Sequence, residues 1–276
     1  MLSLSTTVQT VLDEYINLFH EQFPETLEGL YIHGSIALDA YVDDSSDIDF
    51  ITITNRRLTE KDRDTLSSIH TKIADTYKKP EMDGVYITRK DIGKLYHSSG
   101  DSAYNYPYFN DNILSFGDYF NFNPITWWLF SKKGITVLGP EPSAYPIDIN
   151  SDQLTLYVLE NMNSYWANRI QMMENSTEKI INLPSQTIDV EVEWTVLGLL
   201  RQFYTLKEHD IISKLGAGEY GLVHLPEEWH TIIKDAIHIR KNTRLNAFDS
   251  DRERLEAVIG FSKYLIRLCN SSGSLG

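Results

Sequence analysis

The sequence has a single cysteine and fewer basic than acidic residues, and each of these features argues against a class of protein. Cys269 is the one cysteine among 276 residues, which excludes an intrachain disulfide framework and a zinc site built from several thiolates. Its 25 lysine and arginine residues are outnumbered by 39 acidic residues, for a formal net charge of −14. Nucleic acid is therefore disfavoured as a partner, because its binding depends on cations that contact phosphate.

Long apolar runs are also missing from the sequence. No window approaches the ~20 apolar residues that span a bilayer, and the first five residues lack the basic-then-apolar pattern of a signal peptide. We therefore expect a cytoplasmic protein with no membrane partner. The eight histidines include no His-x-x-x-His pair, which disfavours a zinc site on a helix.

The acidic residues are concentrated near the start of the chain. Residues 1–50 contain ten Asp or Glu and no Lys or Arg. A field of this sign can concentrate a cationic substrate or metal ions at a site. The alternative reading is an acidic surface that only maintains solubility.

Hydrophobic periodicity predicts an α/β first half. Apolar residues three and four positions apart indicate helices at 6–23 and 59–77. Short β-prone runs indicate strands at 30–32, 48–54 and 85–87. We expect a small sheet with its helices against one face.

The rest of the chain is predicted to be mainly helical. Residues 91–122 are rich in Gly, Asn and Tyr and are expected to form long irregular loops near the site. The prolines between 140 and 146 place a domain boundary near residue 150. Beyond it, four segments with helical periodicity predict a bundle: 154–173, 190–208, 227–241 and 252–269.

One motif indicates phosphate and metal chemistry. Asp47 and Asp49 precede and begin the strongest predicted strand, so their carboxylates should share a face while Ile48 points into the core. A divalent cation would relieve their mutual repulsion, and Mg²⁺ commonly uses one or two carboxylates plus phosphate oxygens. Gly34 and Ser35 end the preceding strand, where a glycine allows close approach of a phosphate and a backbone N–H with the serine hydroxyl can bind it.

The segment from Gly34-Ser35 to Asp47-Ile48-Asp49-Phe50 resembles the signature of the polymerase-β-type nucleotidyltransferase superfamily. The chain length, the turn at 137–140 and the helical second half are similar to the aminoglycoside adenylyltransferases that modify streptomycin and spectinomycin. The resemblance implies a polymerase-β-like α/β nucleotidyltransferase domain at 1–150. It also implies an all-α substrate-binding domain at 151–276, with ATP as co-substrate, Mg²⁺ as cofactor and a substrate cleft between the domains.

The same resemblance assigns a third carboxylate. Asp83 matches the acidic position that serves as general base, and it also joins the predicted metal ligands. The family member used for comparison has Glu there, so Glu81 stays open as an alternative base. The alternative interpretation is that Asp83 is an exposed carboxylate at the edge of a strand and has no catalytic role.

Further residues are assigned to the nucleotide. Lys214 resembles the family lysine that contacts the triphosphate, and Arg240 or a neighbour stands where the family has a tyrosine for adenine. Ser46 and Asn123 are placed with the nucleotide as well. His33 is interpreted as a structural residue of the strand-to-loop turn.

Three residues are assigned to the acceptor. Tyr119 stands where streptomycin-modifying relatives have Trp, while Trp166 and Glu191 match ligand-facing positions. Aromatic faces and carboxylates suit a cationic amino-sugar. The departures from the family at Tyr119 and Asp83 together favour spectinomycin over streptomycin.

We expect the enzyme to be a monomer. Its predicted reaction is in-line attack of an acceptor hydroxyl on the α-phosphate of ATP, which would confer antibiotic resistance. Alternative acceptors are a lincosamide, another metabolite or a protein side chain. A non-catalytic nucleotide-binding relative is a further alternative, although a mere binder does not need Asp83 as a base. A polymerase or tailing enzyme is disfavoured by the acidic charge.

Overall fold

The computed structural model describes residues 4–42, 45–96, 105–243, 245 and 247–271. It divides the chain into two compact units, Met1–Asn150 and Ser151–Gly276. The first is α/β and the second is largely helical, which confirms the predicted fold class. Within the described residues, no helix combines the length and apolar character needed to cross a bilayer.

The first unit is built around a mixed sheet. Its described strands lie in the order β5-β4-β3-β2-β1-β6, with β2 and β3 parallel and the other pairs antiparallel. The elements are α1 (Thr6–Gln22), β1 (Leu27–Ile32), α2 (Gly34–Ala37), β2 (Ile48–Thr54), α3 (Arg63–Thr76), β3 (Met82–Ile87), β4 (Tyr106–Asn110), β5 (Ile113–Gly117), α4 (Pro124–Lys133) and β6 (Ile135–Leu138).

Helices cover both faces of this sheet, so the expectation of helices on one face is wrong. Helices α1 and α3 pack on the face that carries Phe50 and Tyr86. Helix α4 packs Trp127 and Phe130 on the opposite face, against strand residues such as Ile51. The sequence of α4 is almost continuously apolar at its centre, so it lacks the polar–apolar period by which surface helices are recognised.

Strands β4 and β5 form a hairpin where the sequence predicted irregular loops, so that prediction is wrong for 106–117. Asp111 and Asn112 form its turn, with φ of 50° and 61°. Pro107 argued against a strand, and an Asp-Asn pair is a weaker hairpin signal than Asn-Gly or Asp-Gly. Residues 97–104 of the predicted loop lie outside the described residues.

The second unit surrounds its longest helix with other helices. Helix α8 contacts α5, α9, α10 and α11, and it shares an apolar core with the last three. A π-helical turn, Met162–Trp166, interrupts the helix predicted at 154–173. The α-helices are α5 (Ser151–Asn161), α6 (Ala167–Asn175), α7 (Thr177–Ile180), α8 (Ser185–Glu208), α9 (Lys214–His224), α10 (His230–Arg240) and α11 (Asp251–Ser271).

Candidate active site

Three polar side chains form a row across adjacent strands of the first unit. Asp49 on β2 is the register partner of Asp83 on the parallel strand β3. On the other side, the antiparallel pairing of β1 and β2 continues to His33, whose backbone N–H donates to the carbonyl oxygen of Asp49 at 3.0 Å. Side chains of directly paired residues point to the same face of a sheet. His33, Asp49 and Asp83 therefore lie side by side, on the face that α4 partly covers.

Asp47 adds a further carboxylate to this row. It lies directly before β2, and Ile48 between the two aspartates is fully buried in the core of the opposite face. Burial, followed by the negative charge of Asp49, raises the pKa of Asp47. The structure thus brings together the three carboxylates that the sequence assigned to the reaction.

Of these three carboxylates, Asp83 has the most strongly raised pKa. Burial raises its pKa to about 7, and the charges of Asp47 and Asp49 act in the same direction. Its Oδ1 accepts a hydrogen bond from the backbone N–H of Asp111 in the β4–β5 turn, at 3.2 Å. A pKa near neutrality suits a general base.

Glu81, the alternative base, is engaged elsewhere. Its carboxylate forms an ion pair with Lys79 at 2.9 Å.

The sequence did not identify Asp111 as a residue of the site, because its contact with Asp83 depends on a hairpin that the sequence did not predict. The Asp-Asn pair between two β-prone runs was the signal that could have found it.

The backbone turn at Gly34 lies directly against the Asp49 carboxylate. Gly34 has φ of +63°, and a Cβ at this position would lie 1.7 Å from Oδ2 of Asp49. On either side of it, His33 Nε2 and Ser35 Oγ are buried without a hydrogen-bond partner. Burial lowers the pKa of His33, and the negative charge of Asp49 opposes this shift. An open backbone turn flanked by unsatisfied polar atoms fits a phosphate group.

The donor set is also suited to a magnesium ion. In the described part of the chain, no group of three or more Asp, Glu, His or Cys side chains could hold a metal ion by itself. Mg²⁺ often needs only one or two carboxylates from the protein, with phosphate oxygens as further ligands. Asp47 and Asp49 fit that requirement, and the metal roles of Asp47, Asp49 and Asp83 all stay predictions.

Of the remaining residues assigned in this unit, Tyr119 lies close to the row. Burial raises the pKa of its hydroxyl, and the charges of Asp49 and Asp83 contribute to the shift. Ser46 and Asn123 have local structural contacts: Ser46 Oγ accepts from the Val42 N–H at 3.0 Å, and Asn123 caps α4. Their contact with a nucleotide stays a prediction.

In the helical unit, Lys214 and Arg240 share one carboxylate. Glu193 lies 3.1 Å from Lys214 Nζ and 3.6 Å from Arg240 Nη1. Lys214 begins α9 and lies 5.0 Å from the ring centroid of Trp194. Burial lowers the pKa of Lys214. The structure joins the two cations assigned to the nucleotide, and it adds Glu193, which the sequence did not identify.

The two acceptor residues predicted in this unit have protein partners. Glu191 forms an ion pair with Arg169 at 2.5 Å. Trp166 is 5% exposed and packs over Gly198, where a Cβ would lie 2.6 Å from its ring. Their contact with an acceptor stays a prediction.

Comparison with solved structures shows the same fold in a known enzyme. The chain is similar to spectinomycin adenyltransferase AAD(9) from Enterococcus faecialis, crystallised with ATP and spectinomycin, with a TM-score of 0.66. The match covers 94% of this chain and 99% of that one, at 13% sequence identity. No curated protein matches the chain significantly.

A family comparison addresses the helical unit directly. Residues 165–264 match the model of the aminoglycoside adenylyltransferase C-terminal domain. This match and the fold shared with a solved adenyltransferase both support the nucleotidyltransferase class predicted from the sequence. Within that class, residues 165–264 are similar to the C-terminal domain of the aminoglycoside adenylyltransferases, which confirms the resemblance predicted from the sequence.

Proposed function

We propose that this chain transfers the AMP group of ATP to a hydroxyl group of an aminoglycoside-type antibiotic, in a reaction that requires Mg²⁺. The observation that carries the proposal is the register pair of Asp49 and Asp83, in which Asp83 has a pKa of about 7. The family match of the helical unit supports the class of acceptor. Residues 1–150 would form the nucleotidyltransferase domain and residues 151–276 the substrate-binding domain.

In this proposal, Asp83 takes the proton of the attacking hydroxyl. A base with a pKa of about 7 is deprotonated in a large fraction of molecules at neutral pH, yet it is basic enough to accept a proton. The Asp111 N–H, which donates to Oδ1, restricts the carboxylate to one orientation. That fixed orientation matters because transfer requires the base to lie within hydrogen-bond reach of the hydroxyl.

Asp47 and Asp49 would hold Mg²⁺. When bound, the ion would neutralise the negative charge that develops on the phosphates. The Gly34 turn and the Ser35 hydroxyl would position the phosphate groups, since this turn combines backbone access with an unsatisfied buried oxygen. Lys214 is proposed as the phosphate-binding cation of the helical unit.

Spectinomycin is the acceptor that we propose first. Tyr119 lies near the carboxylate row, and the departures from the family at Tyr119 and Asp83 together favour spectinomycin over streptomycin. The structural neighbour was crystallised with spectinomycin. We also propose Trp166 and Glu191 as acceptor contacts, although Glu191 would first have to exchange its ion pair with Arg169.

Pyrophosphate release tests this function. The chain is incubated with ATP and Mg²⁺ in the presence of spectinomycin, streptomycin, kanamycin or a lincosamide. Asp49→Asn and Asp83→Asn are compared with Asp64→Asn, which neutralises an exposed carboxylate on α3 outside the row. We expect spectinomycin-dependent release that falls by at least about 100-fold in the first two variants and is unchanged in the third.

Other results would redirect the proposal. Release with all four drugs at equal rates would contradict the preference for spectinomycin. Release without any drug, together with labelled polypeptide, would indicate a protein side chain as acceptor. Binding of ATP without release under any condition would favour a non-catalytic nucleotide-binding relative.

A further inference from the structure

The polar row contains one residue that the proposed reaction does not yet use. We propose that His33 donates a hydrogen bond from Nε2 to a phosphate oxygen of the bound nucleotide. The inference rests on the proposed function, since it names a further ligand of the same nucleotide. It replaces the interpretation of His33 as a residue that only supports the turn.

The position of His33 follows from the register of the sheet. It continues β1 by one residue, opposite Asp49, and so projects to the face that carries Asp49 and Asp83. The residue is only 6% exposed. The next residue is Gly34, where the chain turns so tightly that even a Cβ would overlap the Asp49 carboxylate. The imidazole is therefore fixed beside the proposed phosphate and metal ligands.

The hydrogen bonds of this turn are incomplete in a way that indicates a ligand. Buried polar atoms almost always have partners, yet His33 Nε2 and Ser35 Oγ both lack one. The two atoms flank the same glycine. Both groups can donate, Nε2 in the tautomer that carries its proton. An anionic oxygen can accept hydrogen bonds from both donors at once.

A second buried histidine in the same unit shows what a structural role looks like. His70 is 2% exposed, and its Nε2 lies 2.6 Å from the hydroxyl of Tyr86. Its ring also stacks on Phe109, with 3.8 Å between centroids. Nε2 of His70 therefore has a hydrogen-bond partner within the protein, whereas Nε2 of His33 has none. This contrast makes His70 the matched control for His33.

The test compares binding and stability in three variants. His33→Leu removes the donor, His33→Gln keeps an amide donor near the position of Nε2, and His70→Gln disturbs the control histidine. Titration calorimetry with an α,β-methylene analogue of ATP and Mg²⁺, without acceptor, gives the Kd. Thermal unfolding of the ligand-free chain gives the Tm.

We expect the Kd of His33→Leu to rise by about tenfold or more, because a hydrogen bond to a charged group is lost. Its Tm should not fall, since the substitution removes a buried atom that has no partner. His33→Gln should bind within about threefold of the unaltered chain. His70→Gln should show the opposite pattern, with a lower Tm and an unchanged Kd.

Two results would overturn the inference, and they are distinguishable. Equal Kd values for the unaltered chain and for His33→Leu, with a lower Tm in the variant, would assign His33 to the structure alone. Failure of the unaltered chain to bind the analogue would overturn the proposed function itself, and the role of His33 with it.

Discussion

At the residue scale, the site is a set of carboxylates that cannot all be ionised without cost. Burial and neighbouring charge raise the pKa of both Asp47 and Asp83. A group that is protonated more readily in the folded than in the unfolded state makes stability depend on pH. The same crowding that would favour a divalent cation and a general base therefore destabilises the ligand-free fold at high pH.

Asp83→Asn should stabilise the metal-free chain at pH 8. The folded pKa of about 7 lies above the ordinary value of 3.8, so the stability contributed by this group is complete below pH 3.8 and is lost as pH rises through 7. We expect a gain on the order of 1 kcal/mol at pH 8, discounted for solvent screening, that shrinks toward pH 4. Urea unfolding at several pH values in EDTA measures it, and a gain independent of pH would contradict the assigned pKa.

Gly34→Ala should abolish transfer. The added Cβ would lie 1.7 Å from the Asp49 carboxylate, and φ of +63° strains any residue with a Cβ. We expect a loss of at least about 100-fold in kcat/KM, because displacing a carboxylate that holds the ion disrupts the site. The control is Gly260→Ala on α11, where the nearest atom, in the ring of Trp229, would lie 3.6 Å away. Substantial activity in Gly34→Ala would show that the close approach is not required.

At the scale of elements, the sheet assembles the site from segments that are distant in sequence. Asp49 and Asp83 meet because β2 and β3 are parallel, and His33 joins them because β1 is antiparallel to β2. The sequence predicted β2 and the cores of β1 and β3, since their β-branched and aromatic runs are recognisable locally. Strand pairing is a long-range property, so the alignment of His33 with Asp49 could not be read from periodicity.

The elements that sequence reasoning missed share a physical reason. Helix α4 is apolar around its centre, β4 contains Pro107, and α9 contains Gly216, Gly218 and Gly221, so local propensity argued against each. Tertiary packing overrides that propensity. A Cβ at Gly218 would lie 2.7 Å from Ile237, which shows that α9 needs the glycine to pack against α10.

A buried ion network should hold the end of β3 to β4. Asp91 is 1% exposed and is contacted by Arg57 at 2.9 Å, Lys94 at 2.7 Å and the Tyr106 hydroxyl at 3.1 Å. Although burial opposes ionisation, hydrogen bonds from Lys94 and Thr88 hold the pKa of Asp91 at about 2. This depressed pKa contributes stability that is present above pH 3.8 and is lost as pH falls through 2.

Asp91→Asn should therefore destabilise the chain by about 3 kcal/mol at pH 7, because it leaves cations without their buried partner. Urea unfolding measures the change, and the difference from the unaltered chain should narrow between pH 4 and pH 2. Asp64→Asn, an exposed carboxylate, is the control and should be within about 0.5 kcal/mol of the unaltered chain. A loss below about 1 kcal/mol in Asp91→Asn would contradict the network's role.

At the scale of the whole molecule, the excess of acidic residues acts as a long-range field. The formal charge of −14 includes the ten acidic residues among the first fifty, two of which are Asp47 and Asp49. Such a field attracts a cationic acceptor and repels ATP. It affects the two substrates of the proposed reaction in opposite directions.

Salt should separate these two effects. Raising KCl from low ionic strength to ~0.5 M shortens the screening length from tens of ångströms to a few, so the KM for a cationic acceptor should rise severalfold. The KM for MgATP should stay level or fall. Initial rates at saturating co-substrate measure both constants, with sucrose at equal osmolarity as the control. An acceptor KM that is independent of salt would show that the charge serves solubility alone.

The central claim, transfer of AMP to an antibiotic hydroxyl, is tested most directly by following the phosphorus atoms of ATP. The chain is incubated with Mg²⁺, spectinomycin and ATP labelled at either the α- or the γ-phosphate, and the drug is separated chromatographically. The account predicts that α-label moves to spectinomycin, that γ-label leaves as pyrophosphate, and that Asp83→Asn transfers neither. Transfer of γ-label to the drug, or of α-label to the polypeptide alone, would contradict it.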